Sequence, residues 1–267
     1  MHVRHENILL VGTSHIAEQS LEEIDSLFNK HNVAVVAVEL DQQRLTQLMH
    51  GDQGESKKYP FFRLVRELGF GAAIFANLAS WVQQKVGKIV GLSPGSDMKH
   101  AVELARSKQV PLACIDQDIR VTLRKISPSI NLIFFWKAGK EALTGFLFPK
   151  RMARRYGMEK INLKKVPPER LIDKALLALK KSYPGIYEVL VRQRNHYMTR
   201  NLRQLQEQYP DKIILAVVGA GHLKGIASLL QSSYMDASGL FFHPEHPKDI
   251  EYSETTFQMG GSQKERH

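Results

Sequence analysis

One cysteine is all that the 267 residues contain, Cys114 in VPLACID. That excludes an internal disulfide and a multi-cysteine metal cluster, and it fits a reducing compartment. Its apolar neighbours make Cys114 buried filler rather than a reactive thiol. No stretch reaches the roughly 18 apolar residues that a spanning helix needs. The nearest, FGAAIFANLASWV at 70–82, is too short and holds an asparagine. The N-terminus, MHVRHENILLVG, lacks the apolar core length and small-residue cleavage site of a signal peptide. There is no Gly-x-Gly-x-x-Gly fingerprint, no Walker lysine–serine pair, no aromatic RNP pattern, no zinc-finger spacing and no tandem repeat. Acidic residues are the scarcer sign, 27 against 37 basic, for a net charge of +10. Such a surface suits anionic lipid or nucleic acid. Without a nucleic-acid signature, no specific nucleic-acid partner is expected. The expected location is cytoplasmic, with peripheral membrane contact as the alternative.

What is present is a βα pattern. NILLVG reads as a short buried strand, and TSHIAEQSLEEIDSLFNKH carries a helical apolar stripe at Ile16, Leu21, Ile24, Leu27 and Phe28. NVAVVAVEL is a second buried strand, VPLACID a third and KIILAVVG a fourth, and GLFFH reads as a last strand or extended segment. SPGSDMKHAVELARSKQ is a helix with Ser96 as its expected N-cap. The predicted fold is α/β, a mostly parallel central sheet with flanking helices and a large helical cap insertion. We expect a single domain over 1–250, helical insertions at about 60–95 and 127–210, and a polar tail over 251–267.

Functional groups in an open α/β sheet gather beyond the carboxyl ends of the strands. His15 follows the first strand, Glu39 the second, Asp116 the third and His222 the fourth. LVGTSH and VVGAGH share a strand, Gly-x-x-His, helix arrangement, in which Gly12 and Gly219 allow a tight exit and close backbone approach. Two imidazoles and one or two carboxylates at one edge suit a divalent metal. Each residue also has a plainer reading. A turn glycine followed by an unrelated histidine is common, Glu39 at the end of a valine-rich strand needs at least a basic partner such as Arg44, and Asp116 and Asp118 are both placed to cap IRVTLRK. In VRQRNHYMTRNLRQL, the residues Arg192, Arg194, His196 and Arg200 suit a solvated face. Alternatively Arg194 and Asn195 point into the cleft and hold an anionic or carbonyl group.

LVGTSHIAEQSLEEI, VAVELDQQRLTQL, SPGSDMKHAVELARSKQVPLACIDQDIRVTLRK, RNHYMTRNL and VVGAGHLKGI, in this order over residues 8–230, resemble the TraB family. That family takes in pheromone-shutdown proteins, with Tiki proteases and erythromycin esterases as distant kin. The resemblance implies His15, Glu39, Arg194 and His222 as the functional set. It also implies a metal-dependent hydrolase, a peptidase among the options, using manganese, cobalt or a similar ion. On that reading His15, Glu39 and His222 hold the metal, while Glu39, Arg194 and Asn195 serve catalysis, supported by Asp116. Two positions depart from the pattern. Asp41 stands where many relatives have cysteine, which adds a carboxylate. Gln117 stands where many have arginine, which removes a charge near Asp116 and Asp118. The expected partner is a peptide or another small amide or ester substrate. A non-catalytic peptide-sequestering role competes with hydrolysis. Membrane-surface contact through basic and aromatic helices (Phe61, Phe62, Phe70, Phe75, Trp81), against core packing of the same rings, and a homo-oligomer complete the expectations.

Overall fold

The structure, a computed structural model, describes residues 1–13, 18–49, 65–67, 69–71, 73–74, 76–77, 95–131, 134–137, 139–140 and 169–232. The strands are β1 (His2–His5), β2 (Ile8–Thr13), β3 (Val33–Val38), β4 (Leu112–Cys114) and β5 (Ile213–Gly219). They form one sheet in the order β1-β2-β5-β3-β4. β2, β5, β3 and β4 run parallel, and β1 pairs antiparallel with β2. All six residues of β2 and the last six of β5 are buried, as a strand covered on both faces requires. β1 was not expected from the sequence. Its burial alternates between exposed and half-buried, because an edge strand shows one face to water.

Alternation along the strands divides the core in two. On one face Leu9, Val11, Val36, Val38, Leu215 and Val217 pack against Ile24, Leu27 and Phe28 of α1 (Glu18–Lys30) and Met98, Ala101, Val102 and Ala105 of α3 (Ser96–Ser107). On the other, Ile8, Leu10, Val35, Ala37, Ile214, Ala216 and Val218 meet Met198 and Leu202 of α7 (Gln193–Gln208) and Leu223, Ile226 and Leu230 of α8 (Ala220–Gln231). Between α1 and α3 in the chain lies α2 (Gln42–Met49). After α3 come α4 (Ile119–Ile126), α5 (Glu169–Ser182) and the single turn α6 (Pro184–Tyr187). A π-helical segment, Glu188–Arg192, leads directly into α7. The expected fold class is therefore present, an α/β arrangement with helices on both faces of a mostly parallel sheet. Within the stretch read as a cap, α7 instead belongs to the layer that covers the sheet.

The helix expected from SPGSDMKH starts one residue differently. Gly95, in the left-handed region at φ 83°, precedes Ser96, and no side chain caps that end. The segment 141–168, GLFFH and the tail at 251–267 lie outside the described residues, as does most of 60–95. Among the described residues, no helix is long and apolar enough to cross a membrane.

Gly12 is a point of close approach rather than a flexible turn. A β-carbon there would stand 2.9 Å from Leu223 Cδ2 and 3.2 Å from the Ala220 backbone. β2 thus meets the first turn of α8 without room for a methyl group. Gly12→Ala is expected to destabilise the fold by about 1–3 kcal/mol, the usual cost of overpacking. Urea denaturation checks this; unchanged stability would mean that α8 yields freely.

Candidate functional site

The carboxyl ends of β3, β4 and β5 lie side by side, because Val38 is paired both with Val217 and with Cys114. Glu39 is the first residue beyond β3, and its backbone N–H still bonds the Val217 carbonyl at 3.0 Å. This places its side chain over the end of β5. There Glu39 Oε2 accepts the Gly219 N–H at 2.6 Å, where β5 turns into α8. A carboxylate at a helix N-terminus is favoured by the amide dipoles. Asp116 follows β4, and its Oδ1 accepts the Gln117 N–H at 2.9 Å. Glu39 and Asp116 are 5% and 8% exposed, so both need cationic or hydrogen-bonding partners.

Arg194 supplies the cation. It is the second residue of α7, and every N–H of its guanidinium meets an acceptor. Nε donates to Asp116 Oδ1 at 3.0 Å and Nη2 to Asp116 Oδ2 at 2.7 Å, a bidentate pair. Nη2 also donates to Glu39 Oε1. Nη1 faces the Leu190 carbonyl at 3.3 Å and His222 Nε2 at 3.2 Å. These contacts use all five donors that an arginine carries. Burial opposes the charge, but the Glu39 and Asp116 carboxylates outweigh it and raise the Arg194 pKa further above its ordinary value. Leu190 belongs to the π segment, and a π-bulge beside a site is a common device for re-aiming side chains.

His222, the third residue of α8, is 8% exposed. Its Nδ1 lies 2.6 Å from Asn195 Oδ1, which only accepts, so Nδ1 carries the proton. Nε2 is then a lone-pair nitrogen, which agrees with the Arg194 Nη1 donor facing it. Nε2 also stands 3.5 Å from Glu39 Oε1. Asn195 is thus turned toward the imidazole, and it fills the space beside Gly225, where a β-carbon would fall 2.0 Å from its Nδ2. A cavity of about 160 Å³ borders Asn195 and is lined by Leu176, Tyr187, Val191 and Leu223 and by the charged Asp173 and Lys224.

The structure therefore gathers Glu39, Asp116, Arg194, Asn195 and His222, with Gly219 donating to the cluster from its backbone. Gly12 lies one residue from the end of the neighbouring strand, opposite Val218. His15 lies outside the described residues. The residues left open as caps separate clearly. Asp118 caps α4 by accepting the Arg120 N–H, whereas Asp116 serves Arg194. Asp41 accepts the Arg44 and Ile119 N–H groups at 2.8 and 3.3 Å, which ties the starts of α2 and α4 together. Gln117 bonds the Thr122 hydroxyl at 2.8 Å. Cys114 is pushed up to about 12 by burial and then by the carboxylates of Asp41 and Asp116, so it stays a thiol at neutral pH. His196 is largely exposed, and the partial desolvation of its ring, then the nearby Arg192 charge, lower its pKa.

One pair escaped the reading of the sequence. Thr13, at the end of β2, donates to Asp97 Oδ2, and both residues are fully buried at 1% and 0% exposure. Asp97 Oδ1 accepts its own helix's Met98 N–H at 2.8 Å. The only local hint was an acidic residue in a first helical turn.

A sequence model described as the TraB/PrgY/gumN family matches residues 2–233. The chain is 30% identical over 229 residues to an uncharacterized protein of Methanocaldococcus jannaschii, covering 84% of this chain and 53% of that one. It is 24% identical over 241 residues to the TraB domain-containing proteins of Mus musculus and Homo sapiens, covering 82% of this chain and 61% of each. The chain thus spans a little over half the length of these relatives.

The hydrogen bonding dictates a tautomer that can be measured. Long-range proton–nitrogen NMR is expected to show the neutral His222 ring protonated at Nδ1 with a bare Nε2. Gly225→Ala, which must displace Asn195, is expected to mix the two tautomers. A wild-type ring protonated at Nε2 would contradict the geometry.

Proposed function

Since the chain belongs to the TraB/PrgY/gumN family, we propose that it is a metal-dependent hydrolase acting on a peptide, another amide or an ester at the Glu39–His222 edge of the sheet. The observation that carries the proposal is the convergence of two ligand atoms. His222 Nε2 and Glu39 Oε1 are 3.5 Å apart, a separation that two donors to one ion can adopt. Each is oriented from behind, the imidazole by Asn195 and the carboxylate by the Gly219 N–H. Outer partners of this kind fix the tautomer and aim of metal ligands.

The donor chemistry fits a divalent ion such as manganese or cobalt, which accepts imidazole and carboxylate together. Among the described residues no three His, Cys, Asp or Glu side chains form a metal-binding group. The third ligand in this proposal is His15, outside the described residues. When bound, the metal would lower the pKa of a coordinated water and polarise a carbonyl. The protein's own contribution is orientation. Asn195 keeps the His222 lone pair on Nε2, Gly219 and the α8 terminus stabilise ionised Glu39, and Asp116 holds Arg194 against the site. The neighbouring cavity, about 160 Å³, has room for one small side chain, against walls that mix apolar residues with Asp173 and Lys224.

A second reading, a non-catalytic peptide binder, is favoured by the full engagement of Arg194. With all five donors used inside the protein, that residue can meet a substrate oxygen only by giving up one of its contacts.

Thermal melting separates the two. A metal that binds the folded state alone stabilises it by about 2.7 kcal/mol at a hundredfold excess over its dissociation constant. Manganese or cobalt is expected to raise the melting temperature of the wild type at about pH 7.5, less at about pH 5.5 where protons compete for the imidazoles. The shift should be lost in His222→Ala. Absence of any metal-dependent shift in the wild type would leave the binder as the better reading.

A further inference from the structure

Two aromatic side chains stand in water beside a small hydrophobic cluster separate from the sheet core. Residues 134–137 and 139–140 are helical. Asn131 fixes the start of this turn, its Oδ1 accepting the Phe134 N–H at 3.0 Å. Phe134 points inward. Its ring lies 5.4 Å from that of Tyr183, centre to centre, and packs with the buried Ile126, Ile130, Ile186 and Val189. The next two positions of a helix cannot share that direction. Phe135 and Trp136 are accordingly 39% and 68% exposed. Single exposed apolar residues need no explanation, but these two are adjacent, held by a packed neighbour and set among lysines. Lys137 and Lys140 are exposed on the same segment, and Lys140 Nζ lies 5.4 Å from the Trp136 ring centre. Lys180 and Lys181, both exposed, end α5 just before Tyr183, which packs on Phe134. Between positions 119 and 140 the sequence holds Arg120, Arg124, Lys125, Lys137 and Lys140 and no acidic residue.

We infer that this patch docks the protein on an anionic lipid bilayer, with Phe135 and Trp136 entering the headgroup region and the surrounding lysines facing the lipid charges. Indole suits that depth, since its ring is apolar and its N–H finds a partner at the wet boundary. Lysine stems lie along apolar surface while their ammonium groups stay among the headgroups. A basic, acid-free stretch is drawn to the negative surface potential of such a membrane. No spanning helix is needed for contact of this kind. The rival occupant is a single-stranded nucleic acid, which stacks its bases on open aromatic faces. Here Lys140 already lies over the Trp136 ring, which favours edge-on entry among headgroups over base stacking. The patch shares no residue with the Glu39–Arg194–His222 cluster, and the inference is independent of the hydrolase reading.

The test is flotation of the full chain with vesicles of phosphatidylcholine alone and of phosphatidylcholine mixed with phosphatidylserine. Binding is expected to the mixed vesicles only, and to weaken as salt is raised. Lys137→Glu with Lys140→Glu should lower the partition coefficient at least about tenfold, since each basic residue near an anionic surface is worth about fivefold. Phe135→Ser with Trp136→Ser should lower it by about tenfold or more, through loss of buried ring surface. Circular dichroism verifies folding, and if the aromatic double variant does not fold, the lysine pair decides. Trp136 and Trp81 are the two tryptophans, so a Trp81→Phe protein reports on Trp136 alone. Its emission should shift to the blue on the mixed vesicles and be quenched by brominated lipid. No binding to the mixed vesicles overturns the inference, and retention of a single-stranded oligonucleotide in its place would assign the patch to nucleic acid. Equal binding by the folded lysine variant, or Trp136 emission unmoved on vesicles that do bind, overturns it as well.

Discussion

Two buried carboxylates on different strands share one guanidinium, and the carboxyl edge of the sheet is organised around that contact. Glu39 ends β3, Asp116 follows β4, and Arg194 reaches both from α7. Desolvating three charges costs several kcal/mol each, and the mutual attraction offsets that cost only when the remaining lone pairs and protons are satisfied. Here they are met from nearby. Gly219 serves Glu39, Gln117 serves Asp116, and Leu190 and His222 complete Arg194. The cluster joins the sheet, α7 and α8, and it holds His222 where the β5 turn presents it.

Because such a cluster is costly to bury, its presence at the edge where α/β proteins place their chemistry is informative. A purely structural need could be met by apolar residues of similar size, often with equal or better stability. The orientation of His222 by Asn195 adds a second polar commitment with no packing advantage. Gly225 is part of it, since a methyl group there would occupy the position of Asn195 Nδ2. The site is therefore a buried polar cluster in which Glu39 and His222 are each held in place by an outer hydrogen bond.

Much of the scaffold was legible in the sequence. ILLVG, VAVVAV and IILAVVG are continuous apolar runs, and burial on both faces is what such runs require, while the shorter LAC lies half-buried at the sheet edge. The strand-end positions of Glu39, Asp116 and His222 followed from the same pattern. β1 was not legible, since HVRH is short, polar and only half-buried. The partners of Asp116 were not legible either. An aspartate before a helix reads equally as a cap, and only the fold brings Arg194 across 78 residues to distinguish it from Asp118. Thr13 and Asp97, 84 residues apart, meet for the same reason. Asn195 was read from the sequence as one alternative pointing into the cleft; its side chain is turned toward His222 and lies beside Gly225 of α8, contacts that only the fold reveals.

The dependence of the edge on Arg194 is open to direct measurement by a double-mutant cycle between Arg194→Met and Asp116→Leu, followed by urea unfolding. Removing Arg194 strands both Glu39 and Asp116, and removing Asp116 as well relieves one of those two stranded charges. Each single change is therefore expected to cost about 3–5 kcal/mol and the double change much less than their sum, giving a coupling of at least about 2 kcal/mol. Additive costs, with a coupling near zero, would contradict the view that this shared guanidinium holds the site together.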